Sequence, residues 1–239
     1  MSTTLLVRRV WRSRGHAVLW SLSTVAAIVF GGALTLATSA TWRLARAMPP
    51  TPPEVTRDVV VRGAEDQEGR RASFRILLFT DDFRWQLSSS DTLENGSKSP
   101  LFTPEMRTVL DAAQEVIVVG ASSEEIPPGV AFETGRRLEE RRAARRAEQI
   151  AVWVRASMSQ PIPIRKLNAG YHLPTPRGTR DTSDQRRVVI ILVLDRDDGT
   201  NIDEALRSAM TGERVRAPIF DMLLTQYSLA ARPAFTWAP

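Results

Sequence analysis

From His16 to Trp42 the chain carries no Asp, Glu, Lys or Arg. A helix over residues 16–42 is about 40 Å long, enough to cross a hydrocarbon core of about 30 Å with some tilt. The pattern predicts a transmembrane helix. Beyond it, β-branched and aromatic runs at 58–62 and 73–85, separated by the polar Ala-Glu-Asp-Gln-Glu-Gly, predict a hairpin of two strands. Residues 88–100 are rich in turn formers and predict a mobile loop. Thr103-Pro104-Glu105 reads as a helix start, with a capping hydroxyl followed by Pro, and Met106, Val109, Leu110 and Ala113 share one face behind it.

A short buried strand is predicted over 115–120 and a loop over 121–135. From Arg136 to Ser157 the spacing turns helical, with Ala143, Ala147, Ile150 and Val154 on one stripe. The other side bears Arg136, Arg137, Arg141, Arg142, Arg145 and Arg146 against Glu139 and Glu140, by default a solvated face laced with i,i+4 pairs, although the imbalance brings in an anionic partner as the alternative. A Pro-broken segment leads through Ile164 to Tyr171 and His172, and a further loop precedes Val188 to Leu194, the most apolar strand. Short helices are predicted over 203–210 and 219–230, the second with Phe220, Leu223, Leu224 and Tyr227 inside, before a C-terminal tail.

Charge orients the apolar span. Arg8, Arg9, Arg12 and Arg14 precede it without any acid, while only Arg43 and Arg46 follow closely, so the N-terminus is expected in the cytoplasm. A cleavable leader ending near Ala45-Arg46-Ala47 is the competing reading, although leader cores usually run only about 7 to 15 residues. Either way residues 48–239 are exported. With no ionisable group inside, the span offers no ion pathway of its own. Ala27, Gly31, Thr35 and Ser39 fall on one face at a spacing of four, a surface on which a partner helix can approach closely.

Of the 32 basic residues six lie before residue 48, together with none of the 27 acidic ones, so the remainder is nearly neutral despite a net charge of +5. The basic excess thus belongs to the membrane flank and does not indicate nucleic-acid binding. The chain has no Cys, which removes disulfides, thiol nucleophiles and Cys-based metal sites. Five segments follow: a cytoplasmic basic tail (1–15), the transmembrane helix (16–42), a Pro-rich linker (43–57), a domain with an N-terminal hairpin (58–200) and a C-terminal helical extension (201–239).

Read in order, residues 103–194 give helix, strand, Arg-rich helix, Ala169-Gly170-Tyr171, loop, Gln185-Arg186-Arg187-Val188 and strand. This order resembles the OmpA-like peptidoglycan-associated domain, also found in flagellar stator proteins. Leu138 ahead of Arg142-Ala143 favours one register on the family's Leu-Ser-x-x-Arg-Ala helix, whereas Arg146-Ala147-x-x-Ile150-x-x-x-Val154 favours another. The resemblance implies an α+β, two-layer sandwich, a mixed sheet with helices on one face, standing behind the transmembrane helix.

It also implies a site in which an Asp after the second strand and a helix Arg grip the carboxylates of the peptidoglycan stem peptide, a charge-assisted pairing suited to the guanidinium fork. On this chain the corresponding positions are Arg142 or Arg146, and Ser123 where the Asp is expected, with Glu124 or Glu125 as substitutes. Gln185 stands where the family has Asn.

Other chemistry fits poorly. Asp195-Arg196-Asp197-Asp198-Gly199-Thr200 resembles the nucleophile loop of haloacid-dehalogenase-type phosphatases but carries one residue too many, and reads better as an acidic turn. Asp81 and Asp82 are adjacent on a strand and point to opposite faces. His16 and His172 lack further ligands, so no metal, cofactor or catalytic residue is expected. The expectation is a single-pass bacterial inner-membrane protein with a periplasmic domain, not an enzyme, that holds peptidoglycan or scaffolds an envelope complex. The alternative is a subunit of a stator, secretion or defence machine that uses the domain to dock a partner membrane protein or another copy of itself.

Overall fold

The computed structural model describes residues 48–52, 55–79, 83–174, 182–211, 226–228 and 234–238. The expected transmembrane helix (16–42), its packing residues Ala27, Gly31 and Thr35, the Asp81-Asp82 pair and most of the helix expected over 219–230 lie outside them. Among the described residues no helix is long and apolar enough to cross a membrane. The chain divides into two units, Met1–Met48 and Pro49–Pro239, and the second carries the elements below.

Six strands form one sheet: β1 (Val55–Glu65), β2 (Arg71–Phe79), β3 (Glu115–Ser122), β4 (Ile164–Tyr171), β5 (Val189–Arg196) and β6 (Ala234–Trp237), in the order β1-β2-β5-β3-β4-β6. β3 and β4 run parallel, and every other pair is antiparallel. The most apolar strand, β5, is central, buried from Val189 to Val193 between β2 and β3. Strands covered on both faces read as continuous apolar runs, which explains its sequence.

Among the described residues three α-helices cover the sheet: α1 (Pro104–Asp111), α2 (Phe132–Ser157) and α3 (Ile202–Thr211). α1 begins as its sequence predicts, the Thr103 hydroxyl accepting from the Met106 N–H at 3.2 Å with Pro104 in the first turn. Its Met106, Val109 and Leu110 join Ile150, Trp153 and Val154 of α2 over Val116, Val118, Ile190 and Leu192. Ile202, Ala205, Leu206 and Ala209 of α3 pack over Phe74, Ile76, Ile117 and Ile191 instead. Alternate residues of β2, β3 and β5 serve the two clusters, as the period of a strand requires.

The architecture is therefore mixed α and β, but the helices do not all lie on one face. α1 and α2 take one side and α3 the other, because the inner strands are apolar on both sides and each side must be shielded from water. The segment beyond residue 200 is also not wholly helical. Tyr227 bridges to His172 and is buried, and β6 pairs its backbone with β4.

α2 is the crossover between β3 and β4, and it starts a turn earlier than its sequence pattern suggests. It lies close on β3 at Gly120, where a Cβ would stand 1.9 Å from the Ala143 carbonyl oxygen and 2.7 Å from the Ala147 nitrogen. Glycine is required there by proximity rather than by a special dihedral. On the α3 face, the buried Glu115 carboxylate receives Arg165 at 2.6 Å and Arg196 at 3.1 Å, and Arg165 also reaches Asp203 at 2.5 Å. That network lets a strand as polar as Ile164-Arg165-Lys166 lie under a helix.

Candidate functional site

The separated sequence motifs meet at one end of the sheet, where β3 and β4 finish and β5 begins. The His172 N–H donates to the Ser122 carbonyl at 2.7 Å, joining the two parallel strand ends. The Glu124 N–H donates to the Gln185 side-chain oxygen at 2.9 Å, and Thr182 donates to the Glu125 carboxylate. Tyr227 donates its hydroxyl hydrogen to the Gln185 carbonyl at 2.8 Å and packs edge-on to His172, and burial pushes its phenol upward.

Arg146 stands at the centre of this end. Its side chain is 0% exposed, and the guanidinium donates to three backbone carbonyls: Ser89 at 2.9 Å, Ala121 at 2.8 Å and Gln86 at 3.3 Å. It also lies 5.5 Å above the Trp85 ring, which stacks on Trp153. Burial pushes the guanidinium down to about 9, the positive charge of Arg142 adds to this, and Glu139 opposes it. At neutral pH it remains charged. Arg186 holds the same loop, donating to the Trp85 carbonyl at 3.1 Å, while Trp85 returns its N–H to the Arg186 carbonyl at 3.0 Å.

Two turns earlier on α2, the buried Glu139 carboxylate accepts from the Ser122 hydroxyl and pairs with Arg142. Arg142 is thus the more accessible of the two arginines singled out by sequence, yet it faces an internal carboxylate. Ser123 is buried at the same strand end. The half-buried Glu124 carboxylate lies 3.9 Å from Nδ1 of His172, whose same nitrogen is 2.7 Å from the Leu173 carbonyl.

Arg142, Arg146, Ser123 and Glu124 therefore share one end of the fold. The carboxylate facing the helix arginines is Glu139, from the helix itself. Arg146 works as a strut between the end of β3 and the loop after Trp85.

Sequence reasoning missed Glu139, Trp85, Tyr227 and the carbonyls of Gln86 and Ser89. Backbone acceptors leave no trace in residue types, and the turn-rich Ser88-Ser89-Ser90-Asp91, expected to be mobile, is instead held by Arg146 and by its own hydrogen bonds. Within that loop the Ser89 hydroxyl accepts from the Thr92 N–H at 2.9 Å and the Gln86 N–H donates to the Thr92 carbonyl at 3.0 Å. The acidic stretch after β5 is a turn that ties strands together. Asp197 accepts the Arg71 N–H at 2.8 Å and its carbonyl accepts the Thr200 hydroxyl at 2.7 Å, with Gly199 at φ +75°.

No protein-family model matches the chain. No curated protein matches it either. Among solved structures, the chain is similar to the OmpA-like domain of FopA1 from Francisella tularensis subsp. tularensis SCHU S4, at 13% identity, over 60% of this chain and 84% of that one, with a TM-score of 0.35.

Proposed function

We propose that this protein is a non-enzymatic, single-pass inner-membrane protein of a bacterial envelope, its N-terminus cytoplasmic and its sheet domain an OmpA-like periplasmic scaffold. The observation that carries this reading is the convergence of Ala121-Ser122-Ser123, the α2 arginines, Ala169-Gly170-Tyr171 and Gln185-Arg186-Arg187 at one end of the sheet. The apolar stretch 16–42 with its basic flank supports the anchor and its direction.

Arg142, at the same end of the sheet as Ser123 and Glu124, is then the group offered to the carboxylates of peptidoglycan, since Arg146 is engaged inside. The membrane topology is tested in spheroplasts of cells expressing the full chain with a C-terminal epitope. Added protease should remove the epitope while a cytoplasmic marker survives, and a protected epitope overturns the reading. Pelleting with purified peptidoglycan, reduced in Arg142→Ala, tests the ligand.

The internal pairing of Glu139 with Arg142 and Ser122 favours a second reading, in which the domain docks protein within a multi-subunit membrane machine of stator, secretion or defence type. Detergent purification of the full chain should then bring down a stoichiometric membrane protein, with the Ala27, Gly31 and Thr35 face as the contact in the bilayer. Failure to pellet with peptidoglycan, together with such a subunit, would select this reading over the first.

A further inference from the structure

The solvent side of α2 differs from its other faces. Exposed residues recur at Leu138, Arg141, Arg145, Glu148, Val152 and Arg155, the alternating three- and four-residue steps of a helix-pairing seam, with Arg137 alongside. The helix has 26 residues and is about 39 Å long.

Arginines elsewhere on it are matched within the fold: Arg136 by Glu133 and Glu140, Arg142 by Glu139, Arg146 by backbone carbonyls. Arg137, Arg141, Arg145 and Arg155 have no ion pair or hydrogen bond among the described residues. Two large apolar side chains sit in the same seam, Leu138 at 43% and Val152 at 62% exposure. Arg137 and Arg141 also line an open groove with Glu140, Ala144 and Asn168.

We propose that this face docks an acidic α-helix of a partner protein. Regularly spaced guanidiniums with apolar anchors between them match a helix bearing carboxylates at three- and four-residue intervals and Leu-type residues facing Leu138 and Val152. A phosphate polymer or an anionic lipid surface fits less well. Exposed Glu133 and Glu148 interrupt the positive field, and residues 48–239 as a whole carry 26 basic against 27 acidic residues. The face is made of residues other than Arg142, Arg146 and Glu139 of the sheet-end cluster, and it depends on neither reading above.

The test places the photo-crosslinker p-benzoylphenylalanine at Val152 of the full-length chain, expressed in its native host at its native level. The proposal expects one discrete adduct, mapped by mass spectrometry to a helical segment with Asp or Glu at three- and four-residue intervals. Arg137→Glu, Arg141→Glu and Arg145→Glu together should cut its yield roughly tenfold or more while circular dichroism and the melting temperature stay unchanged.

Replacing the partner's mapped acids with Lys should restore the adduct to the charge-reversed variant. An adduct with lipid, with nucleic acid or with a second copy of this chain overturns the proposal. So does the absence of any discrete adduct, or a yield indifferent to charge reversal. Because the readout is contact on α2 rather than location, a protected epitope in spheroplasts would remove the envelope reading and leave this one standing.

Discussion

At the turn between β1 and β2 the buried Asp66 carboxylate accepts from the N–H groups of Glu68, Arg70 and Asn201, each at 2.9 Å, and from Nε of Arg70 at 2.9 Å. One side chain thereby ties the hairpin to the start of α3. Burial alone would raise its pKa, but the hydrogen bond from Asn201 and those from Arg70 and Glu68 outweigh it and hold the carboxyl at about 2.

A carboxylate depressed in the folded state contributes stability that is complete above its unfolded value, near 3.9, and is lost as the pH falls through about 2. Melting temperatures recorded from pH 5 down to pH 2 should therefore fall more steeply in the native chain than in Asp66→Asn, which should already be less stable at pH 7. Arg146 offers the complementary case. Arg146→Met should destabilise the fold by about 3 kcal/mol in urea titrations, because carbonyls of Ala121, Ser89 and Gln86 lose their donor inside the protein. Arg146→Lys should recover part of that loss.

Among the elements, α2 and β3 are joined by an absence, the missing Cβ of Gly120. Gly120→Ala forces the helix backbone away from the strand and should cost about 3 kcal/mol or more by the same titration, whereas Gly129→Ala should spare that contact because a Cβ there meets nothing within 4 Å. The strain of a positive φ, +81°, is all that Gly129→Ala adds.

The sequence is most legible where an element's own residues carry the signal: the Thr103-Pro104 cap of α1, the apolar run of β5, the stripe on α2. β4 escapes because Arg165, Lys166 and Asn168 look like loop residues until Glu115, Asp203, Glu148 and the Glu140 carbonyl are seen opposite them. At the sheet end, the order of the motifs is readable in one dimension. The engagement of Arg146 is not, since its acceptors come from a loop far away in the chain.

On the scale of the whole molecule the sheet has a protected inner set of strands and two outer ones. β6 is a four-residue strand pairing Arg165 to Asn168 of β4, and it shields that edge. Deleting residues 234–238 should leave the β4 ladder open, so sedimentation or light scattering should show concentration-dependent association while the far-ultraviolet spectrum changes little. An unchanged sedimentation profile would mean that the edge is blunted by other means.

The central position of β5 has a further consequence for biogenesis. β2 and β3 are its two neighbours, yet both are synthesised long before it, so during synthesis they wait with facing backbone ladders empty until Val189 to Arg196 emerges. The nascent chain is thus a half-zipped sheet for most of its synthesis. Holding factors that recognise open apolar strands would be needed in the window before the middle piece arrives, and a ribosome stalled short of residue 189 would release a product with no way to close.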